Sequence, residues 1–346
     1  MGLDMRNSSV WKSGAAVAVA VLAGAGGAWA GVPKVAADIT PVHGLVARVM
    51  QGLGAPALVV PPGASPHGYA MRPSEAQALD QADLVFWMGE ALTPWLEGPL
   101  EELAGDAHRV ELLAAEGTEV LAFREGARFE AHGHDEDHGD HEDHDDHGDH
   151  AGHENHADHD SREDDGDHAD AHGHSHAGAD PHAWLLPANA QAWLDVIAAE
   201  LAEHDPDNAA AYKANAEAGK QEIADAAASI SASLEPFRAK QFIVFHDAYQ
   251  YFERGFGLNA AGAISLGDAV KPSPARIAEV GGVVADLKVS CVFSEPQFNP
   301  GVVATVLDGT GAGTALLDPL GAKLEPGPQF YPALLRDIGS AIAGCE

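Results

Sequence analysis

The stretch QFIVFHDAYQYF, Gln241 to Phe252, decides the fold of this chain. Residues 242–245 form a short run of β-branched and aromatic side chains, which is typical of a buried strand. His246 and Asp247 interrupt that run, and apolar residues then recur at the three- and four-residue spacing of a helix face. His246 therefore stands where a strand leads into a helix, and ligands of open α/β sheets bind at such strand ends.

Strand-like and helix-like segments alternate on both sides of this stretch. The predicted strands are 35–39, 57–60, 84–88, 109–112, 242–245, 260–264, 289–293 and 315–317. This alternation predicts an α/β fold with two mainly parallel sheets flanked by helices. Asp205-Pro206 is a helix-start signal, and a long helix is expected from there to about Leu234.

These patterns divide the chain into four parts. We expect a signal peptide (1–30), an N-terminal α/β lobe (31–204), a linking helix (205–235) and a C-terminal α/β lobe (236–346). The first part has a positively charged start, a short apolar run and an A-x-A pattern at residues 28–30. A membrane anchor is the alternative, but its apolar run would need ~20 residues. Since no cysteine lies near the cleavage point to carry a lipid, we expect a soluble periplasmic protein starting near Gly31.

An acidic, histidine-rich insert occupies residues 130–180 of the N-terminal lobe. It carries 19 Asp and Glu against one Arg, and so supplies −18 of the net charge of −34. Without apolar periodicity it cannot offset its ordering entropy, and we expect it to be disordered without a ligand. Fourteen of the 20 histidines form this tract: His132, His134, His138, His141, His144, His147, His150, His153, His156, His159, His168, His172, His174 and His176.

Clustered imidazoles and carboxylates bind zinc, so the tract is predicted to hold metal ions at many weak sites. The alternative is a solvated acidic insert without a role in transport. No basic surface typical of nucleic-acid binding is present, and no nucleic-acid partner is expected.

The chain has two cysteines, Cys291 and Cys345. In an oxidising compartment such a pair is expected to form a disulfide, and its loop of about 55 residues would be worth roughly 4 kcal/mol. A thiolate metal pair is the alternative, although the sequence has no C-x-x-C spacing.

Four polar residues stand at predicted strand ends or in the loops beside them: His67, His182, His246 and Asp318. Each alone could be an ordinary loop or turn residue. Together they provide three imidazoles and one carboxylate, which is a plausible four-coordinate shell for Zn²⁺. Because these four residues are far apart in the chain, their spacing alone does not establish a metal site. The sequence contains no H-E-x-x-H motif, nucleophile elbow, phosphate loop or dinucleotide fingerprint.

These residues carry a family resemblance. The chain resembles the zinc-binding periplasmic component of ABC-type zinc transporters, within the metal-specific solute-binding proteins. The segments that carry the resemblance are GASPHGYAMRPSEAQAL (63–79), DPHAW (180–184), FIVFHDAYQYF (242–252), CVFSEPQF (291–298) and LLDPLG (316–321).

The resemblance implies two lobes joined by one rigid helix, with the metal in the cleft between them. His67, His182 and His246 match the three histidine ligands, and manganese-type relatives carry Glu where His246 stands. Asp318 matches a carboxylate ligand of related manganese and zinc proteins. The resemblance also implies a Cys291–Cys345 disulfide and a His-rich loop.

One position departs from the pattern of some zinc-type relatives, which have an acidic residue beside the first histidine. Here that neighbour is Pro66, which cannot coordinate. The fourth ligand is therefore Asp318 or a water molecule, and Glu295 is a weaker candidate.

The resemblance implies capture of Zn²⁺, the transported ligand, and its delivery to an ABC-type inner-membrane permease with its ATPase. We expect a monomer without enzymatic activity. The alternatives are a periplasmic zinc buffer or chaperone without a dedicated transporter, and a secreted zinc hydrolase using Asp247 or Glu295 as general base.

Overall fold

The computed structural model describes residues 1, 31–124, 126, 128–129, 178–265, 267 and 271–345. Apart from Met1, the expected signal peptide lies outside the described residues, and so does the fourteen-histidine tract. Among the helices of the described residues, none combines the length and the apolar character that a membrane span requires.

The first sheet has four strands, β1 (Val35–Ala37), β2 (Ala57–Leu58), β3 (Leu84–Trp87) and β4 (His108–Glu111). They lie in the order β2-β1-β3-β4, and every pair is parallel. Helices α1 (Thr40–Val49), α2 (Pro73–Asp80) and α3 (Glu97–Leu103) lie between them along the chain. Strands β1 and β3 are buried along their whole length, because central strands of a parallel sheet are covered on both faces.

The second sheet repeats this arrangement with β5 (Phe242–His246), β6 (Ala260–Ser265), β7 (Cys291–Ser294) and β8 (Gly313–Leu316). The order is β6-β5-β7-β8, again parallel, with helices α6 (Gln250–Phe256), α7 (Pro274–Leu287) and α8 (Pro300–Leu307) between them along the chain. In the β5–β7 pair, Phe242 lies opposite Cys291 and Ile243 opposite Val292. Continuing that register places His246 opposite Glu295 at the carboxyl end.

In the described part of the chain, three further helices do not connect successive strands of either sheet: α4 (Pro187–His204), α5 (Ala209–Leu234) and α9 (Phe330–Ala343). Helix α5 has 26 residues and is continued at both ends by a short 3₁₀ turn. It rises about 39 Å, which is long enough to run past both sheets. The predicted fold class, two parallel sheets flanked by helices with a long helix between them, is confirmed.

One apolar cluster runs through both halves of the molecule. It includes Phe86 of β3, Phe242 of β5, Ile230 of α5 and Ile338 of α9. Helix α9 approaches α5 closely, because a Cβ at Gly339 would lie 2.9 Å from Cγ2 of Ile230. The described residues from Val32 onward pack as one compact unit, so the two sheets are joined by a common core as well as by α5.

Residues on the two sides of the histidine-rich tract are joined by backbone pairing. Ala122 and Ala179 form an antiparallel bridge, and the Asp180 N–H donates to the Leu121 carbonyl at 2.7 Å. Gly178, Ala179 and Asp180, which the sequence analysis placed in the disordered insert, are thus part of the folded structure. Gly178 is exposed and Ala179 is half-buried against the apolar core, whereas Asp180 is fully buried, and backbone hydrogen bonds hold all three in place.

Cys291 of β7 and Cys345 form the predicted disulfide, with their Cα atoms 6.0 Å apart. Both residues are buried. The bond closes a 54-residue separation and ties the end of α9 to the second sheet.

Replacing the pair, Cys291→Ala/Cys345→Ala, should lower the free energy of unfolding by roughly 4 kcal/mol, since the unfolded chain regains its loop freedom. Urea denaturation of the oxidised protein and the variant measures the difference. Addition of a reductant should weaken the wild type but not the variant. A loss below about 1 kcal/mol would contradict the stabilising role.

Asp38 is a fully buried carboxylate at the carboxyl end of β1. It accepts hydrogen bonds from the backbone N–H groups of Ile39 at 2.7 Å and Met88 at 2.8 Å. Burial nevertheless dominates, because it disfavours the charged form, and it raises the Asp38 pKa to about 7.

The folded protein therefore holds a proton on Asp38 that the unfolded chain releases above pH ~4. The stability from this group should fall as pH rises from about 4 towards 7, by at most about 1.4 kcal/mol per pH unit. Asp38→Asn should flatten the slope of unfolding free energy against pH by up to one proton, measured by urea denaturation between pH 5 and 6.5. The exposed Asp80→Asn controls for net charge, and an unchanged slope in Asp38→Asn would refute the assignment.

Candidate metal centre

Three imidazoles from distant parts of the chain lie side by side. His67 is in the loop between β2 and α2, His182 precedes a short 3₁₀ turn, and His246 is the last residue of β5. The ring centroids of His67 and His182 are 5.5 Å apart, and those of His182 and His246 are 5.2 Å apart. Two imidazoles on one tetrahedral zinc ion, with Zn–N near 2.0–2.1 Å, have centroids roughly 5 Å apart.

A buried carboxylate orients the His246 ring. Glu295 follows β7, the neighbour of β5, and its Oε1 accepts a hydrogen bond from His246 Nδ1 at 2.8 Å. The same oxygen accepts the backbone N–H of His246 at 3.2 Å. A carboxylate can only accept here, so it places the proton on Nδ1, and Nε2 is then the nitrogen that can bind a metal.

His182 has a matching partner two residues earlier in the chain. Asp180 Oδ1 accepts hydrogen bonds from His182 Nδ1 at 2.7 Å and from the His182 backbone N–H at 3.0 Å. Burial raises the Asp180 pKa to about 7, although hydrogen bonds from the His182 backbone and from Gln250 oppose that rise. Carboxylate–histidine pairs of this kind fix ring orientation and tautomer at metal sites.

The loop that carries His67 is held by contacts on both sides of the histidine. The Trp95 indole N–H donates to the Pro66 carbonyl at 2.7 Å. Beyond the histidine, the Tyr69 hydroxyl donates to Glu75 Oε1 at 2.9 Å, and Glu75 also caps the start of α2. His67 is half-buried, whereas His182 and His246 are each only 3% exposed.

The three rings line a pocket whose free volume is about 10 Å³, roughly the space of one water-sized sphere. Both amide atoms of Gln297 are buried, and neither has a hydrogen-bond partner among the described residues. Gln297 lines the pocket together with other polar and apolar residues: Pro66, His67, His182, Trp184, His246, Glu295, Phe298, Pro319 and Leu320. A small polar ligand fits this environment better than a large apolar one.

Asp318 lies beside the pocket and does not line it. Its Oδ1 accepts the backbone N–H groups of Leu320 and Gly321, and its Oδ2 accepts that of Ala322 at 2.7 Å. Together with burial and Glu295, its charge raises the pKa of the buried Tyr249 well above the ordinary value. Its role as a metal ligand remains a prediction.

The described side chains include no group of three or more His, Cys, Asp or Glu already arranged to hold an ion. The three imidazoles are near one another without forming a finished coordination shell.

Several residues that build the site were missed by the sequence analysis. Asp180 was assigned to the end of the disordered insert and to the DPHAW segment, and Glu295 was named as a weaker ligand candidate or a hydrolase base, but neither was predicted to orient a histidine. The D-x-H spacing of Asp180 and His182 was a usable signal. Recognising Glu295 as the partner of His246 required the strand order, because the two residues are 49 apart in sequence.

A family model described as zinc-uptake complex component A, periplasmic (ZnuA), matches residues 35–345. The high-affinity zinc uptake system protein ZnuA of Brucella abortus (strain 2308) is 46% identical over 311 residues, covering 90% of this chain and 91% of that protein. The protein of the same name from Paracoccus denitrificans (strain Pd 1222) is 44% identical over 315 residues, covering 91% and 92%.

Solved structures agree in fold. A crystal structure of ZnuA matches with a TM-score of 0.66 at 22% identity, covering 90% of this chain and 99% of that one. A zinc-bound ZnuA deletion mutant matches with a TM-score of 0.66 at 22% identity, covering 91% and 100%. From the match to the family model and the identity to the Brucella and Paracoccus proteins, we conclude that this chain belongs to the ZnuA family of periplasmic zinc-uptake components.

Proposed function

We propose that this protein captures Zn²⁺ in the periplasm with His67, His182 and His246 and delivers it to an ABC-type permease and its ATPase. The observation that carries the proposal is the pairing of two adjacent imidazoles with buried carboxylates, Asp180 and Glu295. This arrangement presents neutral nitrogen donors, which zinc prefers. Because imidazole must be deprotonated to bind, protons compete with the ion.

The fourth coordination position is filled by Asp318 or by a water molecule. The three backbone N–H bonds hold the Asp318 carboxylate in its own turn, beside the pocket. A carboxylate has about four lone-pair sites, so these bonds leave it able to bind an ion as well.

The family is one of solute-binding proteins for transport, and we propose that this chain is a monomeric carrier without enzymatic activity. A zinc hydrolase would need a general base near the metal. The two candidates are otherwise engaged, because Asp247 is paired with Arg124 and Glu295 with His246. This pairing favours the carrier over the hydrolase.

The histidine tract supports the same function as a set of weak zinc sites close to the cleft. Residues on its two sides pair at the Ala122–Ala179 bridge, and Asp180 follows directly and holds His182. Ions gathered on the tract are therefore released near the pocket, which raises their local concentration there.

Replacing the three histidines together, His67→Ala/His182→Ala/His246→Ala, should weaken tight zinc binding at least about a thousandfold, since all three nitrogen donors are lost. Competition with a chelator of known zinc affinity measures this in the full mature chain, because the chelator strips the weaker tract. His108→Ala, which removes an exposed histidine elsewhere, is the control. Strong zinc retention by the triple variant would contradict the assignment of these three histidines as the zinc site.

Deleting residues 130–177 should leave one tight zinc site per chain, with affinity within about threefold of the intact protein, because the pairing of residues 121–123 with 178–180 is retained. Titration calorimetry should show that the heat of zinc binding at the weak sites is lost while the heat of binding at the tight site remains. A same-length variant with the fourteen tract histidines changed to Asn separates the loss of imidazoles from the loss of chain. Disappearance of the tight site in both variants would contradict the division of roles.

A further inference from the structure

The segments on the two sides of the histidine-rich tract lie against helix α6, which follows strand β5 of the second sheet. We call residues 119–124 and 178–180 the insert base. The hydroxyl of Tyr251, in α6, donates to the Asp180 carbonyl at 2.8 Å and accepts the Leu121 N–H at 2.8 Å. One side chain of α6 thus forms hydrogen bonds with both segments of the insert base.

Arg124 reaches from the insert base to two carboxylates beyond His246. Its Nε donates to both oxygens of Asp247 at 3.0 Å, and its Nη1 and Nη2 each donate to Glu253 at 2.9 Å. The guanidinium is 10% exposed and the two carboxylates 1% and 4%. It also stacks on Phe129, 3.9 Å from the ring centroid.

These contacts make Arg124 a permanent cation. Burial opposes its charge, but the Glu253 and Asp247 carboxylates outweigh that effect and raise its pKa. A planar guanidinium can bind two carboxylates as paired forks, and an ammonium group cannot reproduce that geometry. Asp247 directly follows His246, so the fork fixes the backbone beside that histidine.

Gln250 makes the reciprocal connection from α6 back to the insert base. Its Nε2 donates to the Ala122 carbonyl at 2.8 Å and to Asp180 Oδ2 at 2.7 Å. The other oxygen of Asp180 holds the His182 ring and backbone. Gln250 therefore fixes the carboxylate that orients His182.

We propose that Arg124 and Gln250 are positioning residues that set the separation of the His182 and His246 imidazoles and thereby the affinity and release rate of zinc. The proposal rests on the proposed zinc site and deepens it. Neither residue touches the ion in this arrangement. Arg124 holds Asp247, the residue after His246, and Gln250 holds Asp180, the partner of His182. Both contacts join the insert base to the segment that follows His246.

The proposal is tested in the full mature chain with Arg124→Lys and Gln250→Leu. Two matched controls make comparable changes away from the pocket. Arg48→Lys breaks a bidentate pair with Glu222, whose two bonds are each 3.0 Å, at a guanidinium that is 9% exposed. Gln191→Leu removes an amide that donates to the Lys220 carbonyl at 3.0 Å.

Zinc affinity is measured by chelator competition, and zinc release by stopped-flow mixing with excess chelator. Loss of a group that orients a ligand typically costs 10–100-fold in metal affinity. Arg124→Lys and Gln250→Leu should each weaken binding about tenfold or more, mostly through faster release. The visible spectrum of bound Co²⁺, added below one equivalent, should change in both variants and in neither control.

Affinity, release rate and Co²⁺ spectrum that all stay at wild-type values in folded Arg124→Lys and Gln250→Leu would overturn the proposal. So would equal changes in Arg48→Lys and Gln191→Leu, because these would indicate a general loss of rigidity. If Arg124→Lys does not fold, Gln250→Leu decides the question alone.

The wild type and the triple histidine variant are measured alongside. Weak binding by the wild type, or tight binding by the triple variant, would overturn the proposed zinc site and this inference with it. Tight wild-type binding that the triple variant loses, together with unchanged positioning variants, would overturn this inference alone.

Discussion

The hydrogen bonds between two buried carboxylates and two imidazoles are the interaction on which the site depends. Asp180 and Glu295 are 0% and 3% exposed, and a carboxylate buried so deeply must be paired. Each is paired with a ring nitrogen and a backbone N–H of the same histidine. These hydrogen bonds offset the desolvation of the two carboxylates and fix the orientation of the His182 and His246 rings.

The apolar core limits how far the two halves of the pocket can separate. Residues of both sheets, of α5 and of α9 belong to one cluster, so wide opening would expose apolar surface at roughly 25 cal/mol per Å². The insert base adds polar contacts across the same region. Release of an ion is therefore expected to need small displacements of loops and side chains more than rotation of whole lobes.

The sequence predicted the repeated part of this structure and missed the specific part. Strands β3 (Leu84–Trp87) and β5 (Phe242–His246) lie within one residue of the predicted strands 84–88 and 242–245, since their runs of β-branched and aromatic residues are buried. The three histidines were identified as a group because each stands at a strand end or a nearby loop. The Glu295–His246 pair depends on β5 and β7 being neighbours, and no local pattern encodes strand order. Arg124 was missed because a single arginine beside a low-complexity tract looks like a surface residue.

The antiparallel bridge between Ala122 and Ala179 has a consequence for how this family can diversify. With Ala122 and Ala179 paired beside each other, changes between residues 130 and 177 alter a loop whose two sides stay anchored, while Arg124 and Phe129 keep their contacts with Asp247 and Ala261. Doubling the length of such a loop costs only about 0.6 kcal/mol in closure entropy. Insertions, deletions and substitutions within residues 130–177 are therefore expected to cost the folded protein little stability, so this segment can vary while the rest of the protein stays unchanged.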